Sequence, residues 1–316
     1  MGLVAIGRNE GERLRACLET VVNEVTHVVY VDSGSTDGSV AMANAMGVHV
    51  VELDMALPFT AARARNAGWR ALLEQAPHAE YVQFVDGDCA IANGWLQVAE
   101  EFHSANPDYA VACGRRRERF PEKSIYNEMC DIEWDTPIGD SNSCGGDALV
   151  RVAALRQVNG YREDLIAGEE PEMCVRLRKA GWKIRRLDHE MTLHDASMSR
   201  FGQWWRRTVR GGHAYAEGAW LHGRAPEYHK VRQTLRALFW GGLFPAFVFA
   251  TSILFSPYFS LLLLAYPIQW IRLSLSGFDT RHAGFLVFGK FAEVQGVVTF
   301  YASLVFKRRR TLIEYK

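Results

Sequence analysis

The chain has 316 residues, enough for one large domain or two smaller ones. Its 36 basic and 36 acidic residues cancel, which excludes a global electrostatic pull towards nucleic acid. Six cysteines (Cys17, Cys89, Cys113, Cys130, Cys144 and Cys174) stand far apart with no C-x-x-C pair, so a zinc site and a small disulfide framework are both disfavoured and reduced thiols in a cytosolic setting are expected.

The first half alternates strand and helix signals. Leu3-Val4-Ala5-Ile6 is too short for the apolar core of a signal peptide and reads as a first strand. Leu14, Cys17, Leu18, Val21 and Val22 recur at helical spacing. Residues 25–31 form a β-branched run, 39–46 a short helix stopped by Gly47, and 48–53 a third strand. The Ala- and Arg-rich stretch 60–75 is helical; strands follow at 81–85 and 109–113, with a helix at 95–103 between them. This βαβα order predicts an α/β fold with a mostly parallel sheet covered by helices on both faces. From 115 to 146 the pattern is irregular and aromatic. Residues 145–151 return to the sheet, 169–180 form a helix ended by Gly181, 182–187 a strand, and 201–220 a helix rich in Trp and Arg.

Between Arg236 and Arg272 there is no charged residue. The run exceeds one span of about 20 residues and falls short of two full ones. Pro245 and the Ser256-Pro257-Tyr258 turn interrupt it, which predicts a helical hairpin over about 237–271 with both ends on one side, and flanking arginines that point to the cytoplasmic side. A buried apolar helix pair in a soluble protein is the competing reading. A further apolar stretch at about 285–306 carries Lys290 and Glu293; it reads as a third span or an interfacial helix before the basic end at 307–310. The expected division is a catalytic domain over 1–230 and a membrane-associated helical region over 231–316.

Chemistry concentrates where strands end. Asp86-Gly87-Asp88 directly follows an apolar run, so two carboxylates arrive at the end of a buried strand, where open α/β sheets bind ligands. Their spacing suits a hard divalent cation that also holds a diphosphate. Asp32-Ser33-Gly34-Ser35-Thr36-Asp37-Gly38 follows the second strand; small residues there let the backbone approach a ligand, and an ordinary strand–helix turn uses the same residues. Glu169 and Glu170 open a helix, where the macrodipole favours acids, and Pro171 fits its first turn.

These segments, in this order, resemble a family 2 glycosyltransferase with the GT-A fold, over residues 2 to 215. Val4–Glu10 resembles that family's first strand ending in Asn-Glu, 31–39 its nucleotide loop, 64–68 its Ala-Arg-Asn helix, Asp86-Gly87-Asp88 its metal motif, and 168–177 its acceptor-side acidic motif. Gln203-Trp204-Trp205-Arg206-Arg207 loosely resembles the Gln/Arg/Trp motif of its processive members. Four departures stand out: Gly7-Arg8 where the family has Pro, Ser33 at the loop's second acidic position, Glu170 where Asp is usual, and tryptophans that precede the arginines after Gln203. The last speaks against processive polymer synthesis.

The resemblance implies an inverting, metal-dependent hexosyltransferase. Its donor is a nucleotide-diphospho-sugar, by family habit a UDP-sugar, and its cofactor is Mg2+ or Mn2+. Asn9, Glu10, Asp32, Ser33, Arg65, Asn66, Asp86 and Asp147 are implied on the nucleotide-sugar, with Gln203, Arg206 and Arg207 on the diphosphate or, alternatively, in a basic interfacial helix. Asp88, with Asp86 and His194, is implied at the metal; His194 is otherwise structural. Glu170 is the candidate base that takes the acceptor hydroxyl's proton, and Glu169 the second candidate. A lipid-linked or polysaccharide acceptor at the inner membrane, with the catalytic domain in the cytoplasm, fits the apolar region. The rivals are a sugar-phosphate nucleotidyltransferase, for which Gly7–Gly11 makes a poor phosphate loop, and a membrane-anchored scaffold on a transferase fold.

Overall fold

A computed structural model describes residues 1–306. The chain divides into two compact units, the first ending at Ser197 and the second beginning at Met198.

The first unit is built on a nine-stranded mixed sheet with the order β3-β2-β1-β4-β8-β6-β9-β5, β7 pairing with β9 off this path. In chain order its elements are β1 (Gly2–Gly7), α1 (Glu12–Glu19), β2 (Val28–Asp32), α2 (Ser39–Ala45), β3 (His49–Glu52), α3 (Ala61–Gln75), β4 (Tyr81–Asp86), β5 (Cys89–Ile91), α4 (Trp95–Ala105), β6 (Tyr109–Glu118), α5 (Ile125–Glu133), β7 (Gly139–Asp140), β8 (Ala148–Arg151), α6 (Val152–Gln157), α7 (Glu169–Lys179) and β9 (Lys183–His194). Strands β1 to β4 run parallel; β1, β2 and β4 carry nearly unbroken apolar sequence and are buried on both faces, while the edge strand β3 has charged or polar, exposed ends. Strand β8 returns antiparallel between β4 and β6. The Thr60 hydroxyl accepts the Arg63 N–H and starts α3. Gly68 lets α3 lie directly on the sheet: a Cβ there would come 2.3 Å from Val4 Cγ1 and 2.9 Å from Val31 Cγ2.

The structure lengthens two strands beyond the sequence expectation. Strand β6 was expected to stop at Cys113 but runs on through Arg115-Arg116-Arg117-Glu118, and β9 continues past Leu187 to His194. Three arginines in a row read as solvated loop. In the fold they are neutralised by acids from distant segments: Asp131 and Asp135 on Arg115, Asp86 and Asp147 on Arg116, and Asp131 and Glu190 on Arg117. The two strand ends pair in parallel, Arg116 opposite Thr192 and Glu118 opposite His194, after register shifts around Arg115. Such irregularities re-aim side chains. Helices α5 and α6 and the short strands β5 and β7 were not anticipated.

The second unit is helical: α8 (Phe201–His222), α9 (Val231–Leu238), α10 (Phe244–Leu254), α11 (Ala265–Leu275) and α12 (Thr280–Val305). A π-helical stretch over Phe239–Leu243 joins α9 to α10, and a 3-10 stretch over Pro257–Leu264 leads into α11. Glycines bring α8 and α12 into backbone contact. A Cβ on Gly212 would meet the Glu293 carbonyl oxygen at 2.0 Å, and one on Gly296 the Val209 carbonyl oxygen at 2.0 Å.

Three stretches are long and apolar enough to cross a bilayer: Val231–Leu254, Pro257–Leu275 and Thr280–Val305, of 24, 19 and 26 residues. The first two extend the expected hairpin at both ends, because helix geometry does not stop at the charges, Arg236 and Arg272, that bounded it in sequence. The third starts before residue 285, where the Asp279 side chain accepts the Arg281 and His282 N–H groups. Its two charges, Lys290 and Glu293, pair with each other at 2.7 Å. The basic segment 307–310 lies outside the described residues.

Candidate active site

Parallel pairing of β1, β2 and β4 brings Gly7, Asp32 and Asp86 together at the carboxyl ends of the three strands. At β2 the Asp32 carboxylate accepts the Tyr30 hydroxyl at 2.8 Å and the Gly34 and Ser35 N–H groups at 2.9 and 2.7 Å. It is almost fully buried and shapes the loop. Asn9 clips the same loop to the end of β1: its N–H donates to the Ser35 hydroxyl at 2.8 Å and its side-chain oxygen accepts the Thr36 N–H at 2.7 Å. Glu10 pairs with Arg13 at 2.8 Å, and the Ser33 N–H donates to the Gly7 carbonyl at 3.0 Å.

The centre of the site is a network of ion pairs. Arg65, on α3, is 2% exposed, and its guanidinium meets three carboxylates: Asp86 at 2.8 Å, Glu169 at 2.9 Å and Glu170 at 3.1 Å. Arg116, on the unexpected part of β6, holds the other oxygen of Asp86 at 3.0 Å and Asp147 at 2.7 Å. Asp147 is fully buried. It also accepts the Asp86 N–H at 3.0 Å and the Thr192 hydroxyl at 2.6 Å. Burial works to raise the Asp86 carboxyl, but Arg65 and Arg116 overcome it and hold the group below the usual carboxylate range. Glu170 goes the other way. Burial and then the neighbouring Glu169 push it up to about 7, against the pull of Arg65. Gly146 makes this packing possible, since a Cβ there would come 2.5 Å from Arg65 Nη2, 2.9 Å from Asp86 Oδ2 and 3.1 Å from Glu170 Oε1.

Beside the network lies a smaller donor set. Asp88 Oδ2 and His194 Nε2 are 3.3 Å apart, both residues being buried. Pairing of Cys89 with His194 across β5 and β9 brings the two residues together. The set fits a hard divalent ion. Burial depresses the imidazole's proton affinity, which leaves a neutral nitrogen ligand beside a carboxylate. The adjacent Cys89 thiol is pushed well up by burial, so it keeps its proton and donates to Asp88 Oδ1 at 3.6 Å rather than acting as a thiolate ligand.

Residues 4–143 match the family described as Glycosyl transferase family 2. Over that segment the chain is similar to family 2 glycosyltransferases. A curated relative, the succinoglycan biosynthesis protein ExoA of Rhizobium meliloti (strain 1021), is 24% identical over 199 residues, 57% of this chain; the match spans 58% of that relative's length. Among solved structures, the fold is similar to a mannosyltransferase, PcManGT of Pyrobaculum calidifontis, in complex with GDP-Man and Mn2+ (TM-score 0.64, 18% identity, 95% of this chain and 86% of that one). It is also similar to S. aureus TarS residues 1–349 in complex with UDP-GlcNAc (TM-score 0.52, 15% identity, 97% and 92%). The architecture is the GT-A fold.

The structure places the expected residues in different surroundings. Asp86, Asp88, Glu169, Glu170, Arg65, Asp147 and His194 come together. Asp147, expected on the ligand, spends both oxygens on other side chains and on the Asp86 backbone; Arg65, also expected there, gives both terminal nitrogens to carboxylates, and its Nε is buried without a hydrogen-bond partner. Asn66 lies in the scaffold: its amide donates to the Tyr161 carbonyl and to Glu163, both at 2.8 Å, and its oxygen accepts from Trp69. Gln203, Arg206 and Arg207 belong to the second unit, where Gln203 accepts the Ser199 and Arg200 N–H groups at 3.0 Å and caps α8. Arg116, Glu118 and Thr192 were missed. Their only signal was Arg116 and Glu118 alternating on one side of a strand that charge content disguised.

Proposed function

We propose that this chain is an inverting, divalent-metal-dependent glycosyltransferase that moves a sugar from a nucleotide-diphospho-sugar to a membrane-associated acceptor. The observation that carries the reading is the Arg65 guanidinium. One buried cation binds the first aspartate of the Asp86-Gly87-Asp88 motif and both acids of α7, so donor-side and acceptor-side chemistry are held in a single rigid unit.

Glu170 is the base. Held near neutrality, it is matched to accepting a proton at working pH. As the acceptor oxygen bonds to the anomeric carbon, its proton passes to Glu170 and the bond from that carbon to the diphosphate oxygen breaks, which inverts the centre. Glu169, bound to Arg65 and almost fully buried, serves to fix the guanidinium and to raise Glu170. Asp88 and His194 hold Mg2+ or Mn2+. When bound, the cation supplies Lewis-acid stabilisation of the departing diphosphate. Asp86, with an arginine on each oxygen, is reserved for the donor's ribose rather than for the ion. The loop built on Asp32, Ser33, Asn9 and Glu10 receives the nucleoside.

In this reading residues 1–230 form the catalytic domain and residues 231–316 anchor it at the inner membrane with the catalytic domain in the cytoplasm. The three apolar stretches support the anchor. A lipid-linked or polysaccharide acceptor suits that location, and the relative's part in succinoglycan biosynthesis supports it.

The test offers detergent-purified protein UDP-, GDP- and dTDP-sugars with Mn2+ or Mg2+, with and without membrane lipid extract. The expected result is metal-dependent release of one nucleoside diphosphate, a product of inverted anomeric configuration, and loss of both in Glu170→Gln. Retained configuration refutes the single displacement. Failure to bind any donor refutes the transferase reading itself.

A further inference from the structure

Glu118 takes no part in the chemistry above, yet it is among the most constrained acids in the first unit. It closes β6, its side chain is fully buried, and its backbone N–H is held by Asp131 at 2.8 Å. Oε1 accepts the Phe120 N–H and the Asn127 amide, both at 3.2 Å. Oε2 accepts the Ala196 N–H at 3.1 Å and faces His194 Nδ1 at 3.4 Å. Three of its four neighbours are obligate donors that fix the carboxylate's orientation, so the fourth direction points at the imidazole.

A carboxylate presents acceptors, and a neutral imidazole carries its one hydrogen on one nitrogen. Both ring nitrogens face carboxylates, Nδ1 facing Glu118 at 3.4 Å and Nε2 facing Asp88 at 3.3 Å; a cation seated between Nε2 and Asp88 takes the Nε2 lone pair, and the hydrogen then belongs on Nδ1 against Glu118. Trp134 packs edge-on against the ring with centroids 4.8 Å apart and limits its rotation. The 3.3 Å between Nε2 and Asp88 Oδ2 also has meaning. Two ligands at right angles on an octahedral cation with ~2.1 Å bonds lie about 3 Å apart. The pair therefore stands close to the spacing of two adjacent ligands before any ion is bound.

We propose that Glu118 is a positioning residue for the metal site: it fixes His194 as the Nδ1–H tautomer and so pre-sets Nε2 as the second protein ligand of the divalent ion. The inference rests on the metal-dependent reading above. It adds a residue outside the Asp86-Gly87-Asp88 motif on which ion affinity depends. Ligating histidines commonly give their other ring N–H to such a carboxylate, which orients the ring and strengthens it as a ligand. A glutamine cannot replace this acid, because one face of its amide must point hydrogens at neighbours that are themselves donors.

The decisive measurement reads the unsubstituted protein. Full-length protein labelled with 15N at histidine, in detergent at pH 8.5 with saturating Mg2+, is examined by long-range 1H–15N correlation, with His194→Gln used to assign the signal. The expected pattern is a protonated Nδ1 and an unprotonated Nε2. A protonated Nε2, or an imidazolium, overturns the proposal. The second measurement titrates Mn2+ against wild type and Glu118→Gln, reading free ion by EPR. The variant is expected to bind about 10- to 100-fold more weakly, with thermal unfolding recorded to establish that it is folded. A folded variant with wild-type Mn2+ affinity also overturns the proposal. Neither readout involves turnover, so failure here with sugar transfer intact is distinct from failure of the transferase reading.

Discussion

Removing the Arg65 charge is the severest single test of the network. In Arg65→Met the side-chain volume is largely kept, but Asp86, Glu169 and Glu170 lose their shared cation in a place where Arg65 is only 2% exposed. Breaking a buried ion pair from one side costs about 3–5 kcal/mol, because the partner charge stays buried. Three partners place this variant towards the upper end of that range. At roughly 2–4 °C per kcal/mol for a domain of 150–250 residues, the midpoint falls by about 10–20 °C. The deficit also has a sign with pH. Arg65 lowers the carboxyls of both Asp86 and Glu170, so without it Asp86 rises and Glu170, already at about 7, moves further above its unfolded value of about 4. A carboxyl raised in the folded state costs stability as pH climbs from its unfolded towards its folded value. The variant's deficit is therefore larger at pH 8 than at pH 5. Thermal unfolding in detergent, followed by near-ultraviolet circular dichroism at both pH values, measures this. A midpoint within about 2 °C of wild type at pH 8, or a deficit that grows on acidification, refutes the reasoning.

Further outcomes follow from the same geometry. Turnover at saturating donor should rise as pH passes through about 7, because only the ionised Glu170 accepts a proton; a flat profile from pH 5.5 to 8.5 removes Glu170 from the base role. Gly146→Ala drives a Cβ to 2.5 Å from Arg65 Nη2 and 2.9 Å from Asp86 Oδ2, so transfer should fall more than about 10-fold with about 1–3 kcal/mol lost in urea unfolding. Wild-type activity in this variant contradicts the packing. The full chain in native membranes should stay in the pellet through alkaline carbonate extraction, as three spans require; release to the supernatant makes the anchor peripheral.

Local pattern carried much of the fold. The buried β-branched runs that became β1, β2 and β4 are legible because a parallel strand covered on both faces has no polar side to confuse the reading. The order of motifs placed Asp32, Asp86 and Asp88 at strand ends, and Glu169 and Glu170 at a helix start, because charge interrupts an apolar run. The uncharged stretch after Arg236 was equally plain, since bilayer-length helices need a run of that kind.

What each of those carboxylates does was decided only in three dimensions. Asp86 and Asp88 are separated by one residue, yet one is locked between two arginines and the other faces His194. Arg65 lies 104 residues from Glu169, and Arg116 lies 31 from Asp147. No local periodicity records such pairs. The strand through Arg115–Glu118 was hidden in the same way, because its charges look solvated until acids from other elements neutralise them. Local hydrophobicity therefore determined where charge interrupts the apolar runs. Tertiary structure fixed which charges meet, because ion pairing depends on distance in space and is blind to distance along the chain.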